Sequence, residues 1–271
     1  MNTLTPANAR ATSPSADITR QIITALAVAM TLVCNGLANA LPLNNRTTGA
    51  ISDTFHVFFV PAGYVFSIWG VIYCGLLAFT VYQFLPQNRT SAALRSIGGW
   101  FLLSCAMNSG WIFLWHYGYY ALTLVVMLVL LFSLVMVYIR LGIGTTAYSG
   151  SSFWCVRLPF SIYLGWICVA TIANATALLD YVRWDGFGLS PELWTVVLLG
   201  VTVALAAIIT ETRRDVFLVS VLLWALMGIA VKHTAVPIVG ASAWVAVILT
   251  GLFVLRGILL TRRVPQVHGN V

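Results

Sequence analysis

Long apolar runs without a single formal charge constrain this chain more than any other feature. Residues 96–139 form the longest run, with one histidine and no Asp, Glu, Lys or Arg. A helix that crosses a bilayer needs about 20 apolar residues. The run is therefore long enough for two membrane-spanning helices, and residues 116–118 (His-Tyr-Gly) near its middle predict the tight turn between them.

The composition excludes most other classes of protein. Only 8% of the residues are charged, 60% are hydrophobic, and the mean hydropathy is +0.94. A soluble domain carries roughly 25% charged residues, so this chain lacks the polar surface that a soluble enzyme needs. Disordered chains have low apolar content, and a transmembrane β-barrel shows alternating segments of about ten residues. The sequence therefore predicts an all-α integral membrane protein.

Charges and polar loops divide the chain into eight predicted transmembrane helices. Residues 1–20 are Ser/Thr/Ala/Asn-rich and are interpreted as a disordered cytoplasmic tail, and residues 263–271 as a C-terminal tail. The eight predicted helices cover residues 21–41, 61–85, 94–115, 119–141, 158–179, 191–210, 216–231 and 236–260.

The basic residues predict the orientation of these helices, because Lys and Arg concentrate in cytoplasmic loops. With both termini in the cytoplasm, eleven of the fourteen Lys and Arg residues fall inside, and only Arg46, Arg183 and Lys232 fall outside. The same rule accounts for the net charge of +7, so the charge does not indicate a nucleic-acid partner. The chain also has no motif for binding nucleic acid. None of the five cysteines forms a CxxC pair, so no metal site is predicted.

Four of the predicted helices carry amide or aromatic side chains on one face. The spacing of these residues is three, four, seven or eleven positions, which places each set on one side of its helix. Such faces could line a ligand pocket or could simply pack helix against helix, and spacing alone leaves both interpretations open. The sets are Asn35 and Asn39; Phe66, Trp69 and Tyr73; Asn108, Trp111 and Trp115; and Tyr163, Trp166, Ala170 and Asn174.

Three of these segments resemble one known family. Residues 61–73 read Pro-Ala-Gly-Tyr-Val-Phe-Ser-Ile-Trp-Gly-Val-Ile-Tyr, residues 107–111 read Met-Asn-Ser-Gly-Trp, and residues 158–174 hold Pro159, Trp166 and Asn174. Their order and spacing resemble the TspO/MBR family, the tryptophan-rich sensory proteins related to the mitochondrial translocator protein. The resemblance covers residues 21–185 and leaves residues 190–262 as a three-helix membrane extension.

The resemblance implies a five-helix bundle that binds a hydrophobic ligand, with porphyrin or haem as the expected class and no obligatory cofactor. It also implies a membrane-embedded binding or sensory role, in a bacterial inner membrane since no transit peptide is recognised. A homodimer is a further possibility, through the small residues Gly36 and Ala106. The implied ligand-binding residues are Trp69, Tyr73, Asn108, Trp111, Trp166, Ala170 and Asn174, with Asn35, Asn39, Phe66 and Tyr163 as additional candidates.

The chain departs from the family in the first loop, where residues 55–61 contain neither tryptophan nor lysine. Some members of the family degrade porphyrins in light, and loop tryptophans are implicated, so we expect no enzyme activity and no catalytic residue here. His56 in this loop has two interpretations, an axial haem ligand or a polar residue at the membrane surface.

A second class of function stays open, in which all eight helices form a permease for a hydrophobic small molecule. No carboxylate falls in the middle of a predicted helix, which argues against a proton-coupled pump. The last three helices lack a mid-span Asn beside an aromatic face. We therefore expect them to be a scaffold, with the ligand site confined to the first five helices.

Overall fold

The computed structural model describes residues 14–41 and 43–262, and over these residues the chain is helical with no β-strand. Of the helices within the described part, seven are long and apolar enough to cross a membrane, and Val216–Lys232 is a shorter apolar helix. The chain is therefore an integral, multi-pass membrane protein. The eight long helices are α1 (Pro14–Ala40), α2 (Ile68–Phe84), α3 (Ala92–His116), α4 (Tyr120–Arg140), α5 (Leu158–Tyr181), α6 (Pro191–Arg213), α7 (Val216–Lys232) and α8 (Pro237–Arg262).

The first helix begins earlier than expected. Residues 14–20 were assigned to a disordered tail, but they form the first turns of α1. Asp17 is only 2% exposed there and forms an ion pair with Arg95 at the start of α3. A carboxylate in the first turn also interacts favourably with the positive end of the helix dipole. The tail assignment is thus wrong for residues 14–20, while residues 1–13 and 263–271 lie outside the described part of the chain.

The second predicted helix is regular only from Ile68. The preceding segment Gly63–Ser67 is a 3₁₀ helix. Two backbone groups here bond to α7. The N–H of Ala62, directly before the segment, donates to the Gly228 carbonyl at 3.1 Å, and the Val65 carbonyl accepts from the Trp224 indole at 3.2 Å. Contacts with α7 therefore replace the regular α-helical pattern at this end.

Helices α1 to α5 form one bundle, and α6 to α8 pack against its side. Within the bundle, α3 packs on α1 and α4, α5 packs on α2 and α4, and α1 packs on α2. Helix α7 lies between α5 and α8, and α8 in turn contacts α6. The buried core is continuous across both groups of helices.

Two glycines permit close contacts between α5 and its neighbours. A Cβ atom on Gly75 of α2 would lie 2.9 Å from the Pro159 Cβ on α5. A Cβ on Gly165 of α5 would lie 3.0 Å from the carbonyl oxygen of Leu218 on α7. Small residues at such points let two membrane helices approach closely, so α5 is held between α2 on one side and α7 on another.

Asp215, between α6 and α7, joins three helices at one end of the protein. Its side chain is fully buried and accepts hydrogen bonds from the Tyr138 hydroxyl at 2.9 Å and from the Ser161 hydroxyl at 2.7 Å. It also accepts from the backbone N–H groups of Phe217 and Leu218, which caps α7. These four bonds offset the cost of burying a carboxylate.

The opposite end is connected by a different set of contacts. Lys232, at the end of α7, forms an ion pair with Asp53 at 2.5 Å. The adjacent His233 ring contacts the Val60 carbonyl through Nε2 at 3.2 Å, and the His56 N–H donates to Asp180 at 3.1 Å. The two ends of α7 therefore contact opposite ends of the five-helix bundle.

Candidate functional site

A chain of buried amides crosses the centre of the five-helix bundle. The Asn35 side chain on α1 donates to the Asn108 side-chain oxygen on α3 at 2.7 Å. Asn108 in turn donates to the Tyr163 hydroxyl on α5 at 2.8 Å. All three residues are at most 4% exposed. Because an amide in an apolar interior is costly unless it is paired, these bonds fix the relative positions of the three helices.

A second amide orients one of the tryptophans. Asn174 on α5 accepts a hydrogen bond from the Trp111 indole at 3.1 Å and donates to the Thr123 hydroxyl on α4 at 3.0 Å. Trp111 stacks on Trp115 with ring centroids 5.2 Å apart. The Trp115 indole donates to the Thr48 carbonyl at 3.3 Å, which ties the first loop to α3.

The remaining aromatic rings surround Trp69 of α2. Trp69 stacks on Tyr73 at 5.5 Å and meets Trp166 edge-on at 6.2 Å and Tyr163 at 6.1 Å. Phe66 meets Trp166 edge-on at 5.7 Å. These offset and edge-to-face arrangements are the favourable ones for aromatic pairs.

Two small cavities lie among these side chains. One of about 40 Å³ is lined by residues of α2 to α5, and a second of about 110 Å³ is lined by residues of α1 to α3. Phe66, Trp69, Trp111 and Thr48 line both cavities, so these four side chains stand at the boundary between them. A small-molecule site usually holds about 300–1,000 Å³, and the interior is therefore closed around its own side chains.

Two buried polar atoms at these cavities have no hydrogen-bond partner within the described residues. They are the Nε1 of Trp166, a residue 3% exposed, and the hydroxyl of Thr48, a residue 7% exposed. A buried polar group without a partner costs about 1–3 kcal/mol. A ligand that supplied a hydrogen-bond acceptor to the indole and a partner to the hydroxyl would recover that cost.

The structure brings most of the predicted ligand-binding residues to these cavities. Asn174 and Tyr163 line neither cavity and act instead on Trp111 and Asn108. Asn39 is part of α1, but its side chain lies outside what the structure describes. The predicted residues that line a cavity are Asn35, Phe66, Trp69, Tyr73, Asn108, Trp111, Trp166 and Ala170.

Thr48 is the main residue that the sequence analysis missed. It lies in a short helix, Thr48–Ser52, whose N-cap is Thr47; the Thr47 hydroxyl accepts from the Ala50 N–H at 3.2 Å. Threonine is a favoured N-cap residue, so Thr47 was the feature of the sequence that could have indicated the short helix. Nothing in the sequence indicated that the helix returns to the centre of the bundle.

A larger cavity lies outside this cluster. It has a volume of about 390 Å³ and lies between α5, α6 and the loop that precedes α2. His56 lines this cavity and not the two interior ones. Among the described residues, no group of three or more His, Cys, Asp or Glu side chains could hold a metal ion.

The comparisons with known proteins agree with the motifs on these helices. A family model described as TSPO-like protein matches residues 21–256. The match continues through α6 and α7 and into α8, and so extends beyond residues 21–185, where the motifs were recognised. No curated protein and no solved structure matches this chain.

Proposed function

The chain belongs to the TSPO-like family, and from this premise we propose that it is a membrane-embedded binding or sensory protein for a tetrapyrrole such as a porphyrin or haem. The observation that carries the proposal is the position of the unpartnered Trp166 indole and Thr48 hydroxyl at cavities walled by aromatic rings. Flat macrocycles stack on ring faces, and their polar atoms would serve the two unpartnered groups.

A tetrapyrrole is larger than the two interior cavities together, so binding requires the side chains between and around them to move apart. Phe66, Trp69 and Trp111 line both cavities and so lie between them. Phe66 and Trp69 lie at the start of α2, where Gly63–Ser67 is a 3₁₀ helix. We expect the rings of these three residues to separate and to stack on the macrocycle, while the Asn35–Asn108–Tyr163 chain keeps the helices in place.

The proposal includes eight membrane spans with both termini in the cytoplasm of a bacterial inner membrane. Helix α7 has 17 residues, as α2 does, but no adjoining helical segment such as Gly63–Ser67 extends it. Asp215 before its start and Lys232 at its end nevertheless contact opposite ends of the bundle. Its 17 residues correspond to about 25 Å at 1.5 Å per residue. This length and these contacts support an eighth crossing.

The test is a titration of the purified protein with protoporphyrin IX, followed by quenching of the fluorescence of its ten tryptophans. We expect saturable quenching, and we expect Trp166→Phe and Thr48→Val to weaken binding by roughly three- to tenfold, the equivalent of one hydrogen bond each. Trp244→Phe is the matched control, because Trp244 lies on α8 and is 44% exposed. Unsaturable quenching, or equal affinities in all four proteins, would reject the proposal.

A further inference from the structure

The 390 Å³ cavity has the size of a ligand site and belongs to a different part of the protein from the tetrapyrrole site. Its walls are mostly apolar and include Phe58 from the first loop, Ile172 from α5 and Leu198 from α6. It shares no lining residue with the two interior cavities. A ligand here would contact α6, one of the helices expected to be only a scaffold.

Among the described residues that line this cavity, the formally charged side chains (Asp, Glu, Lys or Arg) are all acidic. Asp180 and Asp185 line it, and no Lys or Arg is among the described residues that do. This is unusual in a chain with fourteen basic and seven acidic residues. Asp17, Asp53 and Glu211 each pair with a basic side chain, whereas Asp180 and Asp185, like Glu192 and Asp215, form no ion pair within the described part of the chain.

Backbone hydrogen bonds hold both carboxylates in position. One oxygen of Asp180 accepts from the His56 N–H at 3.1 Å, and one oxygen of Asp185 accepts from the Phe187 N–H at 3.1 Å. Asp180 is half-buried and Asp185 is exposed. A carboxylate beside an apolar wall interacts with a cation more strongly than it would in bulk water, because the local dielectric is lower.

Two tryptophans complete the site. The rings of Trp184 and Trp194 lie 5.1 Å apart at an angle of 51°, and both line the cavity. The Trp194 indole donates to the Gly186 carbonyl at 2.7 Å, which fixes its orientation. The face of an indole attracts a cation within about 6 Å of the ring.

We propose that this cavity binds a hydrophobic cation, an apolar molecule that carries a positively charged amine or onium group. The apolar walls take the hydrophobic part, and the two carboxylates with the tryptophan faces take the charge. This site is independent of the tetrapyrrole site, whose proposed ligand carries carboxylates of the opposite charge. Helix α6 is then part of a binding site, and the last three helices are more than a scaffold.

The probe for this proposal is tetraphenylphosphonium, and its control is tetraphenylborate, which has nearly the same shape and the opposite charge. Binding is measured by equilibrium dialysis with the full chain in lipid nanodiscs, and empty nanodiscs correct for partition into lipid. We expect saturable binding of the cation and none of the anion. Equal binding of both ions would mean that the cavity is a lipid-filled crevice, and would overturn the proposal.

Variants locate the site. Asp180→Asn keeps the acceptor for the His56 N–H but removes the charge, and should weaken tetraphenylphosphonium binding about tenfold. Glu192→Gln is the matched control, because this nearby carboxylate does not line the cavity, and should leave the affinity unchanged. Trp166→Phe should also have no effect, which separates this site from the tetrapyrrole site. An unchanged affinity in Asp180→Asn would contradict the proposal.

Discussion

At the scale of single residues, amide side chains determine the geometry of the proposed tetrapyrrole site. Asn108 connects α1 to α5 through Asn35 and Tyr163, and Asn174 connects α3 to α4 through Trp111 and Thr123. In an apolar interior no water competes for these bonds. Each amide therefore fixes both a helix contact and the orientation of an aromatic ring.

Asn174→Ala tests this role directly. The substitution leaves the Trp111 indole N–H without its acceptor, whereas the Thr123 hydroxyl keeps its bond to the Tyr120 carbonyl. We expect it to lower the free energy of unfolding by about 1–3 kcal/mol. Thermal unfolding in a single detergent measures the difference. Asn88→Ala is the control, since Asn88 is in the loop between α2 and α3 and its side-chain amide donates to the Tyr82 carbonyl, away from the interior cavities. A melting temperature equal to that of the parent would argue against a positioning role.

The sequence predicted much of this site because helical spacing is regular. Asn108 and Trp111, three positions apart, do face the same interior. Thr48 could not be predicted, because its position depends on the path of an irregular loop and not on a period. Likewise, helical spacing placed Asn174 on the correct face of α5 but could not identify Trp111 and Thr123 as its partners.

At the scale of elements, the contact of α7 with the segment before α2 joins the two groups of helices. Gly228 lies so close that an added Cβ would be 2.2 Å from a Val65 methyl and 3.0 Å from the Pro61 Cβ. The Trp224 indole and the Ala62 N–H provide two hydrogen bonds across the same contact.

Gly228→Ala should therefore destabilise the protein by about 1–3 kcal/mol, since overpacking forces neighbouring atoms apart. Gly200→Ala on α6 is the matched control: among the described residues, no atom beyond its chain neighbours and its own helix backbone lies within 4 Å of the added Cβ. Alanine favours a helix over glycine by about 1 kcal/mol, so this control should be neutral or stabilising. If the melting temperature changed in the same direction in both variants relative to the parent protein, this would contradict the close contact at Gly228.

We expect the stability of the protein to depend on pH through His233, which directly follows α7. Burial lowers the pKa of His233 below its usual value of 6.5, and the charge of Lys232 adds to this shift. The unfolded chain therefore takes up a proton at a higher pH than the folded protein does. The contribution of His233 to stability should be lost as the pH falls through about 6.5 and should be fully present well above that pH. Melting temperatures between pH 7.5 and 5.5 measure this loss, which should be smaller in His233→Gln.

Each predicted transmembrane helix overlaps a helix of the described part of the chain, but not every boundary agrees, and the eighth span stays a prediction. The start of α1 could not be predicted because Asp17, in the first turn of this helix, pairs with Arg95, which lies 78 residues further along the chain. Similarly, the 3₁₀ segment before α2 reflects hydrogen bonds to Gly228 and Trp224, which a local pattern does not contain. The helix positions follow from apolar runs, whereas these ends follow from tertiary contacts.

At the scale of the whole molecule, the topology can be tested with cysteines placed at both ends of α7. Thr212 and Thr234 are both exposed and lie on either side of this helix. In a background without the five native cysteines, an impermeant maleimide on intact bacterial cells should label Thr234→Cys. Thr212→Cys should react only after lysis. Labelling of both from outside would contradict the eighth span.

The permease and the light-driven degradation of porphyrin remain alternative predictions for the same fold. Flux of a porphyrin across protein-containing liposomes would identify the first, and bleaching faster than that of the free porphyrin would identify the second. The outward face of the protein is apolar, with Leu26, Phe132 and Leu252 exposed, as expected of a surface that faces the hydrocarbon of a bilayer. The prediction of a homodimer concerns part of this face, where Gly36 and Ala106 are exposed.

The tetrapyrrole is proposed to bind among the aromatic rings inside the bundle of α1 to α5, which belong to α2, α3, α5 and the segment before α2. Photo-crosslinking with a porphyrin that carries a diazirine, followed by peptide mapping, tests this proposal most directly. We expect the labelled peptides to contain Trp69, Trp111 or Trp166. Labels mainly on residues after Ser190, such as Trp194 at the 390 Å³ cavity, would contradict this proposal and would move the tetrapyrrole site to the C-terminal helices.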